Sequence, residues 1–379
     1  MEYIHCYENE NDFAGVYDTS SYTEPWASYI ESGKTTNYNK NCLTFRIFGD
    51  GDIHFTPESG SSIEYKINNG TWDEMPATVS VSRKDIVKFR GWNDGQIGTF
   101  SGTTARFSVL GNIMSLVDFD NFRNLTTLPG EGIFKELFAG CTGLFSAKRL
   151  ELPATELVKD CYKGLFKNCN NLVSPPALPA TELSETCYSE MFYGCTKIMT
   201  PPELPATTLA KNCYFRMFRE TGLRTAPVLP ATIMADYCYD QMFYGCKSLK
   251  YPPELPSTEL ATGCCSSMFQ ESGLVIAPEL PATELKHGCY GYMFEKCENL
   301  IQAPDLLAPI LVKNCYINMF DSCTSLKKIK CMATDISAPD CTRGWVNKIV
   351  GSGDFYYASG TPWTRGIAGI PSTWTPHAI

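Results

Sequence analysis

Histidine is scarce in this chain, and so are charge and long apolar runs. Of 379 residues only four are histidine (His5, His54, His287 and His377). None lies in an H-x-x-x-H or H-E-x-x-H arrangement, the spacing that brings two imidazoles to one metal. No G-x-S-x-G elbow, Walker A loop or G-x-G-x-x-G occurs, so the enzyme classes carrying those motifs have no foothold. No cofactor and no catalytic activity are expected. Charged residues make up 19% of the chain, with 32 Lys and Arg against 41 Asp and Glu and a net charge of −9. A nucleic-acid partner needs concentrated basic side chains and is not expected. Membrane insertion is not expected either, because no apolar run approaches the ~20 residues of a span. Met1 to Glu10 has neither the basic nor the apolar region of a secretory leader, so synthesis in a cytoplasm is expected.

What is abundant is cysteine, 18 in all, and its placement follows a repeat. Aligning on Leu-Pro-Ala-Thr-x-Leu gives starts at Leu152, Leu178, Leu204, Leu229, Leu255 and Leu280, with a degenerate start at Leu306. The steps are 25 or 26 residues. Each unit reads L-P-A-T-x-L-x-x-x-C-Y-x-x-M-F-x-x-C-x-x-L and ends in a proline-bearing segment. The units starting at Leu204 and Leu255 carry Arg219-Glu220-Thr221-Gly222-Leu223 and Gln270-Glu271-Ser272-Gly273-Leu274. They lose the second cysteine and one residue together, which puts the deletion in a turn.

From Cys187 as zero, Tyr188, Met191, Phe192 and Cys195 fall at +1, +4, +5 and +8. At about 100° per residue these positions cover a face roughly 140° wide, which predicts a two-turn amphipathic helix in each unit. Pro201-Pro202-Glu203-Leu204-Pro205 predicts an extended segment. A helix so short is marginal alone, so neighbouring units must bury its face. Two cysteines eight apart on a helix, or on helices about 8–10 Å apart, are too distant for disulfides or tetrahedral zinc. The columns headed by Cys161 and Cys169 therefore read as buried reduced thiols. The recurrent Glu156, Glu182, Glu259 and Glu284 share one repeat position, which assigns them a solvated role rather than acid/base pairing.

The stretches Met191-Phe192 to Ile198 and Met319-Phe320 to Leu326 read M-F-x-x-C-x-x-L, which resembles the core of BspA-type leucine-rich repeats. The chain departs from that family in having Pro-Ala-Thr where a strand with alternating Ile is usual. As a whole it is similar to repeat proteins of gut Bacteroidetes and their crAss-like bacteriophages. The likeness includes His5-Cys6-Tyr7 with Glu24-Pro25-Trp26, and Gly369-Ile370-Pro371 with Trp374. The resemblance implies a solenoid that binds other molecules and brings no enzymatic residues.

Residues 43 to about 110 follow another pattern. Leu43, Phe45, Ile47, Ile53, Phe55, Ile63, Tyr65, Ile67, Val79, Val81, Val87 and Phe89 alternate with polar residues, and Asn69-Gly70 signals a hairpin. These residues predict a small Ig-like β-sandwich, with Trp72 and Trp92 in its core. The expected fold class is thus α+β. A 1–42 arm precedes the 43–112 sandwich; a leucine-rich-repeat-like solenoid over 113–345 and a C-terminal cap over 346–379 follow.

Fixed repeat positions build the core and variable ones are free to specialise. The +6 position reads Lys167, Tyr193, Arg219, Tyr244, Gln270, Glu295, Asp321, and the +2 position includes Phe215. Tyr193, Phe215, Arg219, Tyr244 and Tyr292 (the last at +3) form the candidate binding stripe, since aromatics and Arg are the usual interface anchors. Tyr22, Trp26 and Tyr29 of the polar arm are the candidate docking residues. The expected function is a non-enzymatic phage virion protein, a fibre or decoration subunit. Its N-terminal region would meet other virion proteins and its solenoid a glycan or protein of the bacterial surface, and a homo-oligomer is allowed. A bacterial surface adhesin and, more remotely, a glycan-active enzyme are the alternatives.

Overall fold

Apolar positions at 0, +1, +4, +5 and +8 fit a period of four residues as well as one of 3.6. The computed structural model, which describes residues 41–379, takes the period of four. In the unit of Cys161 the amides of Lys163, Leu165, Lys167 and Cys169 donate to the carbonyls three residues back, at 2.9–3.2 Å. The amides between them, from Asp160, Tyr162, Gly164, Phe166 and Asn168, donate to Glu185, Cys187, Ser189, Met191 and Tyr193 of the next unit, at 2.7–3.1 Å. Every fourth residue is left-handed: φ is 55° at Asp160, 60° at Gly164 and 59° at Asn168, then 57° at Thr186, 56° at Glu190 and 73° at Gly194.

These bonds correct the α+β expectation. An α-helix keeps φ negative and spends each amide on its own fourth-preceding carbonyl; here half of the amides leave their unit. Among the described residues there is no α-helix, only short strands, two one-turn 3₁₀ segments and turns. The expected leucine-rich-repeat-like solenoid with one helix per unit is not formed. Each unit is a coil of tight turns, two residues in and two out, bonded along one edge to the coil before and the coil after.

The N-terminal portion departs from expectation too. Strands β1 (Thr44–Gly49), β4 (Ile63–Ile67), β5 (Asp73–Glu74), β7 (Ile86–Gly91), β9 (Arg106–Asn112) and β10 (Leu144–Glu151) form one six-stranded sheet in the order β10-β9-β1-β7-β4-β5. Two small sheets accompany it: β2 (Gly51–His54) with β6 (Thr78–Val81), and β3 (Thr56–Pro57) with β8 (Gly98–Thr99). The sheet is antiparallel except where β9 meets β10, which runs parallel and opens the first coils. In place of a separate Ig-like sandwich, the N-terminal sheet continues into the repeats. The β4–β5 hairpin forms, but its left-handed residue is Asn68 (φ 53°) rather than Asn69-Gly70. At the other end β11 (Asp305–Leu306), β12 (Lys328–Cys331), β13 (Asp354–Tyr357) and β14 (Thr375–Ala378) make a four-stranded parallel sheet.

In-register bonding stacks like on like. Phe100, Phe138, Phe166, Phe192, Phe218, Phe243, Phe269, Phe294 and Phe320 form an unbroken ladder, ring centres 5.5–5.9 Å apart and planes within 16°. A second ladder runs from Phe134 through Tyr162, Tyr188 and Tyr214 to Tyr239. Cys265 interrupts it beside a small pocket of about 10 Å³ lined in part by Cys265 and Tyr290, and Tyr290 with Tyr316 resume the stack. Both ladders end on Trp345, which in turn stacks on Trp363 at 5.3 Å. At the N-terminal end Phe45 packs on Phe89, Phe100 and Phe107, so the two regions share one core.

Seventeen described cysteines are buried and free. The distance argument against disulfides does not hold, because coils lie closer than packed helices. Direction governs instead: Cys169, Cys195, Cys246, Cys297 and Cys323 donate S–H to the phenylalanine carbonyl one coil back, at 3.0–3.1 Å. Burial pushes the Cys169 thiol up to about 12, and Cys246 to about 11 against the lowering hydrogen bond of Thr221. In the two shortened coils Thr221 and Ser272 stand in this column and meet the next coil's thiol at 3.3 and 3.4 Å.

Two substitutions separate this account from a helical one. Phe192→Ala, in the middle of the ladder, should lower the unfolding free energy by about 3–5 kcal/mol in urea titration. Thr186→Gly would cost about 1 kcal/mol inside a helix. At a φ of 57° it should instead raise stability by about 0.5–1 kcal/mol, because relief of left-handed strain exceeds the entropy of glycine.

Candidate binding surface

Two-in, two-out winding sends positions +2, +3, +6 and +7 outward, so residues one turn apart in the same coil share a face. Arg219 at +6 lies between rings of the coils on either side. Its guanidinium carbon is 5.6 Å from the Tyr193 ring centre and 4.0 Å from that of Tyr244. Lys167 reaches the same Tyr193 ring at 5.6 Å, extending the alternation to four coils. Cation–ring contacts of this kind contribute about 0.5–2 kcal/mol each.

Polar bonds fix the cations laterally. Arg219 Nη1 donates to Gln241 Oε1 at 2.6 Å, and Arg216 Nε donates to the same oxygen at 3.1 Å. Arg219 Nε also donates to Glu220 Oε1 at 3.3 Å. Glu190 accepts from Lys167 at 2.7 Å and lies 3.5 Å from Arg216. Burial pushes the Glu190 carboxyl up, but the Lys167 and Arg216 partners outweigh it and hold the group below its ordinary range. Phe215 joins through Arg216, whose guanidinium sits 4.5 Å from its ring centre.

Four of the five expected stripe residues (Tyr193, Phe215, Arg219 and Tyr244) are thus brought together, all half-buried. Tyr292 is not among them; it stands in the +3 column two coils beyond Gln241, itself left-handed at φ 59°. Tyr22, Trp26 and Tyr29 lie outside the described residues. Glu190, Arg216 and Gln241 were missed, although each occupies +3, one of the positions that the two-in, two-out winding turns outward. Glu156 with Glu182, and Glu259 with Glu284, are exposed neighbours along a parallel ladder.

A second aromatic cluster corrects the reading of Trp92 as core, while Trp72 packs against the core from its edge. Trp92 is 50% exposed and its indole N–H donates to Asp120 at 3.0 Å. Trp72 is half-buried against Phe119, with the Arg90 guanidinium 4.5 Å from its ring and 5.4 Å from that of Trp92. Among the described residues no group of three or more His, Cys, Asp or Glu is placed to hold a metal ion. No helix of the described residues is long and apolar enough to cross a membrane. Compared with known proteins, the chain matches no family model, no curated protein and no solved structure.

Beneath the stripe lies Asp240, with one carboxyl oxygen buried and unpartnered among the described residues. Burial raises its pKa from 3.8 to about 6, against the lowering charge of Arg216. The folded protein holds this proton more tightly than the unfolded chain. The contribution to stability is therefore full below 3.8 and is lost as pH rises through about 6. Asp240→Asn should add about 1–3 kcal/mol at pH 7 and flatten that decline, measured by urea unfolding at pH 4 and pH 7.

Proposed function

We propose that this protein is a non-enzymatic binding protein of a phage virion, a fibre or decoration subunit whose stacked coils contact the host bacterial surface. The observation that carries the binding part is the row Lys167–Tyr193–Arg219–Tyr244, in which side chains from four coils hold one another in place. Aromatic and Arg residues anchor interfaces, and side chains ordered before contact lose less entropy when a partner arrives. The partner is a glycan or protein of the bacterial surface. The virion part is supported by the likeness of the opening and closing motifs to repeat proteins of gut Bacteroidetes and their phages. On this reading the N-terminal region, with Tyr22, Trp26 and Tyr29, meets other virion proteins, and copies of the chain associate in the particle.

Tyr193→Ala combined with Tyr244→Ala should reduce binding to host cells by about tenfold or more. The same double substitution should lower unfolding free energy by less than about 2 kcal/mol. A larger stability loss would place both rings in the core and remove the proposed surface. Deleting residues 1–40 should abolish incorporation into particles while leaving a folded chain, read by sedimentation with purified virions. Unchanged incorporation would count against the docking role.

A further inference from the structure

The two shortened coils are more than a tolerated deletion. In each, one glycine takes the place of the longer turn and is drawn against the coil before it. A Cβ on Gly222 would lie 2.4 Å from the Thr196 carbonyl oxygen, and one on Gly273 would lie 2.1 Å from that of Lys247. Full-length coils stand on both sides, so a step is left in the outer edge. Over Gly273 the step is an open notch of about 300 Å³ whose lining includes Lys247, Glu271, Lys296, Glu298 and Asn299. Over Gly222 the counterparts of Lys247 and Lys296 are Thr196 and Gly245, so that step lacks both lysines.

The notch holds its groups in fixed relation. Lys296 Nζ donates to Glu271 Oε1 at 2.8 Å, and Lys247 Nζ lies 3.9 Å from the other oxygen. Lys296, then Tyr244 and Lys247, hold the Glu271 carboxyl below its ordinary range against burial. Tyr244, at the end of the aromatic row, is close enough to interact with the same carboxylate.

Chemistry narrows the occupant. Two ammonium groups oppose a metal cation, and the carboxylates of Glu271 and Glu298 oppose an anion. The lining is mostly polar, which disfavours an apolar side chain. Ammonium and amide donors beside carboxylate acceptors suit hydroxyl groups, each of which donates one hydrogen bond and accepts others. The volume is at the low end of the ~300–1,000 Å³ found for small-molecule sites, which suits one sugar ring rather than a chain of them. We propose that the notch over Gly273 binds a single neutral pyranose unit of a surface glycan, held by Glu271, Lys247, Lys296, Glu298 and Asn299. The inference rests on the binding reading above only in taking the outer edge of the coils as a recognition surface.

Saturation-transfer NMR on the full chain tests it. The probes are methyl α-glucopyranoside, methyl α-mannopyranoside, methyl α-galactopyranoside and N-acetylglucosamine, each at about 20 mM for a millimolar affinity. At least one should give transfer, weakened about tenfold in Glu271→Gln and in the exposed pair Glu298→Ala with Asn299→Ala. Val228→Ala, at an exposed side chain outside the notch, should leave transfer unchanged. No transfer from any of the four, or transfer that survives both notch variants, would overturn the proposal. A tenfold preference for glucuronate or glucose 6-phosphate would overturn its neutral class. If host-cell binding is lost with Tyr193→Ala and Tyr244→Ala while no glycoside binds, the notch inference fails and the binding surface stands.

Discussion

Between the two cysteine positions of a coil, every second amide finds its acceptor in the same coil and every other one in the next. That division is the constraint on which the rest of the repeat depends. A buried amide without a partner costs about 1–3 kcal/mol, so a coil lacking its neighbour would leave five such groups open, as at Asp160 to Asn168. The left-handed residues follow from the same division. Turning the chain back after each pair of inward side chains requires positive φ every fourth residue, including Thr186 and Glu190, where L side chains resist it. Cross-coil bonds and the buried core outweigh that resistance only when coils are stacked.

Register then controls the side chains. Because each coil is bonded to the next at a fixed offset, one repeat position becomes one column. Phenylalanine columns become a ladder, thiol columns become a row of S–H donors, and outward columns become the Lys167–Tyr193–Arg219–Tyr244 row. The aromatic ends carry the same logic. Phe45 with Phe107 in the N-terminal sheet, and Trp345 with Trp363 at the C-terminal side, cover ring faces that would otherwise meet water. The two shortened coils leave steps in the outer edge without disturbing the phenylalanine ladder within.

Much of this was legible in the sequence, and the exceptions have physical causes. The starts from Leu152 to Leu306 located the units, and strict columns of Cys, Tyr, Met and Phe marked the inward positions. Alternation in Leu43, Phe45 and Ile47 located β1. The helix was misread because 0, +1, +4, +5 and +8 satisfy two periods. The discriminating signal was weak, carried by Asp160, Gly164, Asn168, Asn212, Gly263 and Gly288 at positions that tolerate left-handed backbone, and diluted by Thr186, Glu190 and Arg216. The spacing error for thiols came from the same source, since packed helices stand farther apart than bonded coils. Trp92 reads as core by its size alone, while its exposure depends on Asp120 and Arg90, distant in sequence. Tyr292 was grouped with the stripe by residue type, yet it lies two coils beyond Gln241.

The division of amide bonds can be observed directly. In perdeuterated protein, scalar coupling across a hydrogen bond links an amide nitrogen to its acceptor carbonyl carbon. The nitrogen of Phe166 should couple to the carbonyl of Met191, one coil onward, and that of Leu165 to Tyr162 in its own turn. Coupling of Phe166 to Tyr162, four residues back, would mean a helix and would contradict the account.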